Sequence, residues 1–199
     1  LDKYDISLIN NILLLSGSGL DAESGIQTFR AADGLWAGHD VYSVCSATAF
    51  KNDPDTVYSF YNKRRRELKN VKPNQAHYSL VDLEKEFEVN IVTQNISGLH
   101  KEAGSTKVIE LHGSLKKSFC LDNNHTFDWE NDLNASDLCP ICQSQMRMGI
   151  VMFEENVYHL DEVQNLANKA DLFVSTGTSL NVFPANVLID FFKKRNKPT

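Results

Sequence analysis

Several features that mark membrane, nucleic-acid-binding and secreted proteins are missing from this chain of 199 residues. Its apolar runs, such as residues 12–15, are strand-sized and far short of the roughly 20 residues that span a membrane. The opening segment, LDKYDISLINN, contains acidic side chains and no apolar signal core. Lys and Arg total 20 against 26 Asp and Glu, so a net charge of −6 offers no field that recruits nucleic acid or anionic membrane. We therefore expect a soluble protein with neither partner, cytoplasmic by default, or mitochondrial if a transit peptide has been removed.

Cysteine is scarce too, which agrees with a reducing compartment. Three of the four cysteines cluster in the second half of the chain, at Cys120, Cys139 and Cys142. The last two form a C-P-I-C turn that can place both thiolates on one tetrahedral metal such as zinc. Asn123 stands where a second pair would be completed, and His125 is a fourth-ligand candidate that no fixed spacing demands. The cysteines are compatible with three interpretations: a structural zinc site, a cluster that has lost its metal, and a redox motif.

Strand-like apolar runs alternate with helical patterns along the chain. Strands are predicted at residues 9–15, 91–93, 108–111, 149–153 and 171–175. Helices are predicted at 48–68, 74–86, 160–168 and 186–194, the first capped by Asn52 or Asp53 with Pro54 in its opening turn. With 42% hydrophobic residues, this alternation predicts an α/β fold: a doubly wound parallel Rossmann-like sheet with a smaller insertion domain, part helical and part cysteine-bearing.

Two segments interrupt the alternation and divide the chain. We expect the Rossmann-like domain to comprise residues 1–30, 85–113 and 148–199. Residues 31–84 would form a helical insertion that opens with a flexible loop near the site, at 31–40. Residues 114–147 would form a small cysteine-bearing module, in which a metal replaces a core that too few apolar side chains can build. Since the chain stops just after a predicted helix, another strand is expected to follow Thr199.

Polar side chains follow two of the predicted strands directly. Gln94 and Asn95 come after one strand, and His112 comes after the next. In open parallel sheets, ligands lie beyond the carboxyl ends of the strands, so these positions suit reacting groups. Any one of the three could instead cap a turn, but three at two neighbouring strand ends favour an active site.

Two further patterns are compatible with anion or nucleotide binding. The glycine-rich loop that begins at Gly17 can bring backbone close to a phosphate, although its spacing differs from G-x-G-x-x-G and an ordinary turn would look similar. The basic run 63–66 reads as a solvated helix face or an anion site. Tyr61 and Arg64 are three residues apart, so they share a helix face on which a phenol and a guanidinium suit a carboxylate.

Several longer motifs resemble one family in both order and spacing. They are GSGLDAESGIQTFR at 17–30, TQNISGLHKEAG at 93–104, ELHG at 110–113, the CxxC insertion, and GTSLNVFPA at 177–185. The chain resembles the sirtuins, the NAD-dependent protein lysine deacylases, over nearly its whole length. FYNKRRREL at 60–68 is similar to the sirtuin subgroup that removes succinyl or malonyl groups, in which a Tyr and an Arg bind the acyl carboxylate. Tyr61 and Arg64 occupy those positions.

The resemblance implies a role for each motif. NAD would be consumed: the nicotinamide–ribose bond breaks, the acyl-lysine oxygen attacks the ribose carbon, and His112 acts as general base on a ribose hydroxyl. Asn95 and Gln94 would position the ribose and a water. The implied NAD-lining residues are Gly17, Ser18, Gly19, Glu23, Thr28, Phe29, Arg30, Gln94, Asn95, Ser97, Gly177, Thr178 and Ser179. The edge formed by Val151, Met152 and Phe153 would pair with the backbone of the substrate peptide.

The implied function is an NAD-dependent protein lysine deacylase that acts on acyl-lysine proteins and releases nicotinamide and O-acyl-ADP-ribose. Negatively charged acyl groups would be preferred to acetyl. Two departures support an alternative. Ser97 replaces an Asp that contacts the nicotinamide amide, and Glu154 replaces a Gly in the peptide cleft, which would bring a new negative charge there. An NAD hydrolase, an ADP-ribosyltransferase or a non-catalytic NAD-binding module is therefore kept as an alternative.

Overall fold

The structure, a computed structural model, describes residues 5–28, 35–180, 183 and 185–199. Nine strands lie in these residues: β1 (Asn11–Ser16), β2 (Leu35–Trp36), β3 (His39–Asp40), β4 (Glu88–Thr93), β5 (Val108–Glu110), β6 (Gly113–Cys120), β7 (Thr126–Asp128), β8 (Met146–Ile150) and β9 (Leu172–Thr176). The same residues contain eight α-helices: α1 (Ser18–Asp21), α2 (Val41–Val44), α3 (Ala47–Asn52), α4 (Pro54–Leu68), α5 (Gln75–Leu83), α6 (Leu99–Ala103), α7 (Leu160–Lys169) and α8 (Ala185–Lys194). Short 3-10 turns occur at Ile6–Leu8 and Ala22–Ser24.

A parallel sheet with the strand order β5-β4-β1-β9 forms the centre of the larger lobe. Successive side chains of a strand point to opposite faces, and both faces of β1 are buried. Leu13 and Leu15 pack with α7 and α8, whereas Leu14 packs on the other face with residues of α5. Helices cover both faces, so the predicted doubly wound parallel sheet is confirmed.

The predicted helix starts are confirmed by their caps. The Asp53 carboxylate accepts the Thr56 N–H at 3.2 Å, and Pro54 occupies the first turn of α4. Asn74 caps α5 through a capping box shared with His77. The helical pattern at 48–68 comprises two helices, α3 and α4, with Asp53 between them, because Pro54 has no N–H with which to continue the first.

The second lobe combines α2, α3 and α4 with an antiparallel sheet of order β7-β6-β8. The strand predicted at 149–153 overlaps β8 only at residues 149–150, and β8 pairs with β6 instead of joining the parallel sheet. Residues 114–147 contribute to a core that they share with the helical segment. Leu133 and Met146 are fully buried and share one core with Tyr61 of α4.

Part of the loop predicted at 31–40 is ordered. Residues 35–40 form the hairpin β2-β3, while 31–34 lie outside the described residues. None of the described helices combines the length and apolar character that a membrane crossing requires.

Candidate active site

The carboxyl ends of β1 and β9 mark the point where the strand order reverses. From β1 the chain proceeds outward through β4 and β5, and β9 then returns to the opposite side of β1. A crevice for a ligand is expected at such a switch point. The loops after these strands are joined by hydrogen bonds: the Gly17 N–H donates to Thr176 at 3.0 Å, and the Gly19 N–H donates to Gly177 at 2.8 Å.

Glycine is required where these two loops meet. A Cβ on Gly17 would lie 2.7 Å from the Thr178 Cβ, and a Cβ on Gly177 would lie 2.2 Å from the Leu20 nitrogen. Gly177 also has a φ of 62°, in the left-handed region that favours glycine. Because glycine has no side chain, the backbones of the two loops can approach each other closely. This contact brings together four residues of the predicted NAD-lining set, Gly17, Gly19, Gly177 and Thr178.

Gln94 and Asn95 connect this crevice to the end of β4. The Asn95 side-chain amide, which is buried, donates to the Gly17 carbonyl at 3.0 Å. The Thr178 hydroxyl donates to the Gln94 side-chain oxygen at 3.2 Å. Three strand-end loops, those after β1, β4 and β9, are therefore joined through these two amides.

His112 follows the end of β5 and contacts the backbone of Gln94. Its Nδ1 lies 3.0 Å from the Gln94 backbone oxygen, which can only accept, so Nδ1 carries the proton and Nε2 keeps its lone pair. No other hydrogen bond to the ring occurs among the described residues. Burial lowers the pKa of His112, an effect that the Gln94 carbonyl partly opposes. A neutral imidazole held by one nitrogen, with the other available, can accept a proton near neutral pH.

The remaining residues of the predicted NAD set are less closely connected to the crevice. Ser18 is half-buried and Ser179 is exposed, each within one of the two touching loops. Glu23 is exposed in the 3-10 turn after α1, and Thr28 is half-buried further along the chain. Phe29 and Arg30 lie outside the described residues. The assignment of these residues to NAD stays a prediction.

A buried polar network that the sequence did not predict lies next to the crevice. The hydroxyl of Ser97 donates to the Asp21 carboxylate at 2.8 Å, and His77 Nε2 lies 3.2 Å from the other oxygen of that carboxylate. His100 Nε2 lies 2.8 Å from the Ser16 hydroxyl, and burial lowers the pKa of His100 to about 4. Single histidines on helices carry no spacing signal, which is why sequence reasoning missed them.

The predicted acyl site places two unbonded polar atoms in the core of the smaller lobe. Tyr61 is fully buried, and burial raises the pKa of its phenol well above the usual value, so the hydroxyl keeps its proton. That hydroxyl lies beside the Cys45 thiol, a weak partner, and no oxygen or nitrogen of the described residues bonds it. Arg64 donates through Nε and one terminal nitrogen to Glu67, at 2.8 and 3.2 Å. The other terminal nitrogen is buried and unbonded among the described residues.

The segment from Val151 to Phe153 runs between the two lobes. The Val151 N–H donates to the His112 carbonyl, and the Phe153 N–H donates to the Cys45 carbonyl, both at 2.9 Å. The Met152 N–H donates to the Glu155 carboxylate at 2.8 Å. All three N–H groups are thus bonded within the chain, and pairing of a peptide with this segment stays a prediction.

Glu154 does not bring a free negative charge to this cleft. Its carboxylate accepts hydrogen bonds from the Thr48 N–H at 2.9 Å and the Thr48 hydroxyl at 2.8 Å, in the first turn of α3. The residue has a φ of 75°, a conformation that glycine adopts more easily. The side chain thus caps a helix while its backbone keeps the turn.

The three predicted metal ligands converge with His125, the candidate for a fourth ligand. The ligand atoms of Cys120, His125, Cys139 and Cys142 all lie within 4.8 Å of one another. Cys142 Sγ is 3.6 Å from Cys120 Sγ, close to the edge of about 3.8 Å that Zn–S bonds of 2.3 Å give in a tetrahedron. Hydrogen bonds led by the Ser144 hydroxyl lower the pKa of Cys142 to about 5, which favours the thiolate that binds metals. This set of donors fits a structural Zn²⁺.

Comparisons with known proteins agree with this geometry. The Sir2 family profile matches residues 17–184. An NAD-dependent protein deacylase of Helicobacter pylori is 48% identical over 178 residues, covering 89% of this chain and 77% of that protein. One from Bdellovibrio bacteriovorus is 45% identical over 187 residues, covering 91% and 80%.

Solved structures give the same result. A mutant Sir2 homologue in complex with ADP-ribose superposes with a TM-score of 0.89 at 36% identity, covering 96% of this chain and 79% of that chain. A Sir2 homolog–NAD complex superposes with a TM-score of 0.84 at 35% identity, covering 96% and 77%. On sequence and fold together, the chain belongs to the Sir2 family, the sirtuins.

Proposed function

We propose that this protein is an NAD-dependent protein lysine deacylase, with His112 as its general base. The observation that carries the proposal is the hydrogen bond from His112 Nδ1 to the Gln94 carbonyl. It leaves Nε2 with a lone pair at the end of β5, beside the Gln94 and Asn95 loop that reaches Gly17. The names of the relatives, NAD-dependent protein deacylases, agree with this chemistry.

The backbone that borders the crevice is compatible with a bound dinucleotide. A Cβ on Gly17 or Gly177 would clash with the facing loop, so glycine lets the loops after β1 and β9 approach each other closely at the switch point of the sheet. Gly17, Gly19, Thr178 and Asn95 would hold NAD there. When bound, NAD supplies a ribose carbon that the acyl oxygen can attack as nicotinamide leaves.

The protein's own groups would then manage position and protons. Asn95 and Gln94 are immobilised by Gly17 and Thr178, so they can orient a sugar and a water without reorganising. His112 would take the proton of a ribose hydroxyl at Nε2, while Nδ1 stays bonded to the Gln94 carbonyl. The products would be the free lysine, nicotinamide and O-acyl-ADP-ribose.

We further propose a preference for succinyl and malonyl groups. The support is the pair of buried, unbonded donors on one face of α4, the Tyr61 hydroxyl and a terminal nitrogen of Arg64. Buried donors without partners are costly, and a carboxylate at the end of an acyl chain would satisfy both. An acetyl group carries no oxygen far enough along the chain to do so.

Mass spectrometry with matched peptides tests the proposal. Succinyl-lysine, malonyl-lysine and acetyl-lysine versions of one peptide would be incubated with NAD and the purified protein. We expect fastest removal of the dicarboxylic groups, with nicotinamide and O-acyl-ADP-ribose formed in equal amounts. Consumption of NAD with every peptide left acylated would replace a deacylase with an NAD hydrolase or an ADP-ribosyltransferase. Faster acetyl removal would refute the acyl preference alone.

A further inference from the structure

Ser97 stands where the sirtuin pattern has an acidic residue, yet the structure provides a carboxylate at the same place. The Ser97 hydroxyl donates to Asp21 Oδ2 at 2.8 Å, and both residues are buried, 4% and 3% exposed. Asp21 comes from α1, after the glycine loop, whereas Ser97 comes from the loop after β4. The hydroxyl and the carboxylate face each other across the two loops that border the crevice.

The Asp21 carboxylate is held by two neutral donors. His77 Nδ1 accepts the Asn74 N–H at 3.3 Å, so the ring proton lies on Nε2 and is donated to Asp21 Oδ1 at 3.2 Å. Ser97 donates to the other oxygen, and its own oxygen accepts the Leu99 N–H at 3.3 Å. Each carboxylate oxygen accepts one hydrogen bond in this arrangement and can accept another.

The position of this carboxylate narrows the choice of ligand. Asp21 lies four residues after Gly17, and Ser97 lies two residues after Asn95, the two residues joined by the amide hydrogen bond of the crevice. A carboxylate only accepts hydrogen bonds and repels phosphates, so the complementary part of NAD carries N–H donors. Beside the ribose that His112 and Asn95 would hold, that part is the nicotinamide carboxamide.

We infer that Asp21 accepts a hydrogen bond from the carboxamide of nicotinamide, and that Ser97 positions the carboxylate for it. The inference rests on the proposed function, which places NAD in this crevice. In this chain the carboxylate comes from α1, and a hydroxyl stands at position 97 in the loop after β4. The replacement of Asp by Ser at position 97 therefore leaves the site with one carboxylate.

Exchange of the two side chains makes the inference testable. D21S leaves two hydroxyls and no charge, whereas S97D places two carboxylates within hydrogen-bonding distance, where like charges repel. The double variant D21S/S97D restores one carboxylate and one hydroxyl with their origins reversed. D21N keeps the shape of the side chain and removes only its charge, in case D21S fails to fold.

The first measurement is the nicotinamide concentration at which exchange of labelled nicotinamide into NAD is half-maximal. The second is the affinity for ADP-ribose, measured by calorimetry. ADP-ribose lacks the nicotinamide, so it reports on the rest of the site and on folding. We expect D21N and S97D to raise the nicotinamide concentration by about 10-fold or more, as loss of a charge-assisted hydrogen bond predicts, with ADP-ribose affinity within about 2-fold of wild type. The double variant should return to within about 3-fold of wild type.

A structural role for Asp21 would give a different result. If the carboxylate only anchors His77, D21N would weaken ADP-ribose binding and nicotinamide exchange together, and the exchanged pair would restore neither. That result, or an unchanged nicotinamide concentration in D21N, overturns the inference while wild-type activity stands. A wild-type protein that binds no ADP-ribose and exchanges no nicotinamide would instead overturn the proposed function.

Discussion

Replacing Arg64 with Met is expected to remove the preference for dicarboxylic acyl groups while sparing the removal of acetyl. Met keeps much of the length and apolar volume of Arg, so the packing against Phe60, whose ring centre lies 4.8 Å from the guanidinium carbon, is largely retained. The ion pair with Glu67 is of the i,i+3 type with a half-exposed partner, and its loss costs about 0.5 kcal/mol or less. The variant should therefore fold.

The magnitude follows from the one terminal nitrogen that is buried and unbonded among the described residues. A hydrogen bond between charged groups contributes about 1.5–3 kcal/mol, which corresponds to a loss of about 10- to 150-fold in kcat/KM for a succinyl peptide. An acetyl peptide makes no such bond, and its kcat/KM should change by less than about 3-fold. The test therefore depends on the ratio of the two losses in kcat/KM, for the succinyl peptide and for the acetyl peptide.

The assay is steady-state deacylation of matched succinyl and acetyl peptides, with R66M as the control variant. Arg66 lies on the same helix, but it is exposed and pairs with Asp132 at the surface, so R66M should leave both activities unchanged. E67Q adds a third arm, because removal of the carboxylate that now occupies Arg64 should lower the KM for the succinyl peptide. Equal losses on both peptides in R64M would show that Arg64 supports the fold and does not read the acyl group.

Three further predictions concern the metal cluster, the base and the glycine contact. Chelation of zinc, or C139S, should lower Tm by roughly 8–16 °C, as loss of about 4 kcal/mol of binding free energy predicts for a chain of this size. The control variant C45S should keep one metal per chain in elemental analysis. Absence of metal from the wild-type protein would refute the structural role of zinc. Because burial lowers the pKa of His112 in the free protein, the acidic limb of kcat/KM should have its midpoint below the ordinary imidazole pKa of 6.5, and a midpoint above that value would contradict the assigned environment. G177A should abolish ADP-ribose binding because its Cβ would lie 2.2 Å from a backbone nitrogen. G38A shares the strain of a positive φ, here 83°, but its Cβ would meet no atom within 4 Å, so it should retain binding. Normal binding by G177A in calorimetry would show that the loops can separate.

The sequence predicted the central strand and two helix starts well because their signals are local. The buried run at 12–15 and the caps at Asp53 and Asn74 each act within a few residues of the chain. The ends of strands could also be predicted, since polarity changes abruptly after β4 and β5. Gln94, Asn95 and His112 were found for that reason.

Features that depend on distant partners could not be predicted in the same way. β6 pairs with β8, which lies much further along the chain. The core around Leu133 is completed by residues of α4. His125 could be named only as a candidate ligand, because it joins the cysteine cluster through the path of a turn and not through a fixed spacing. Glu154 was expected to charge the cleft, but its carboxylate caps α3. In each case the decisive contact joins residues that are far apart in the chain.

The contact between Asp21 and Ser97 illustrates the same limit with functional consequences. From sequence, Ser97 indicates a lost carboxylate and therefore weaker nicotinamide binding. The structure brings Asp21 to within 2.8 Å of that hydroxyl from a loop 76 residues away. A departure from a family pattern can thus be judged only after its spatial neighbours are known.

The most direct test of the central claim is the amount of O-acyl-ADP-ribose that H112A forms from NAD and an acyl-lysine peptide, measured by mass spectrometry beside its ADP-ribose affinity. We expect product formation to fall by about 100-fold or more, as loss of a general base does, while ADP-ribose affinity and the circular dichroism spectrum are retained. Product formation at the wild-type rate would contradict the assigned role, because the proton would then be taken by a group other than the His112 imidazole.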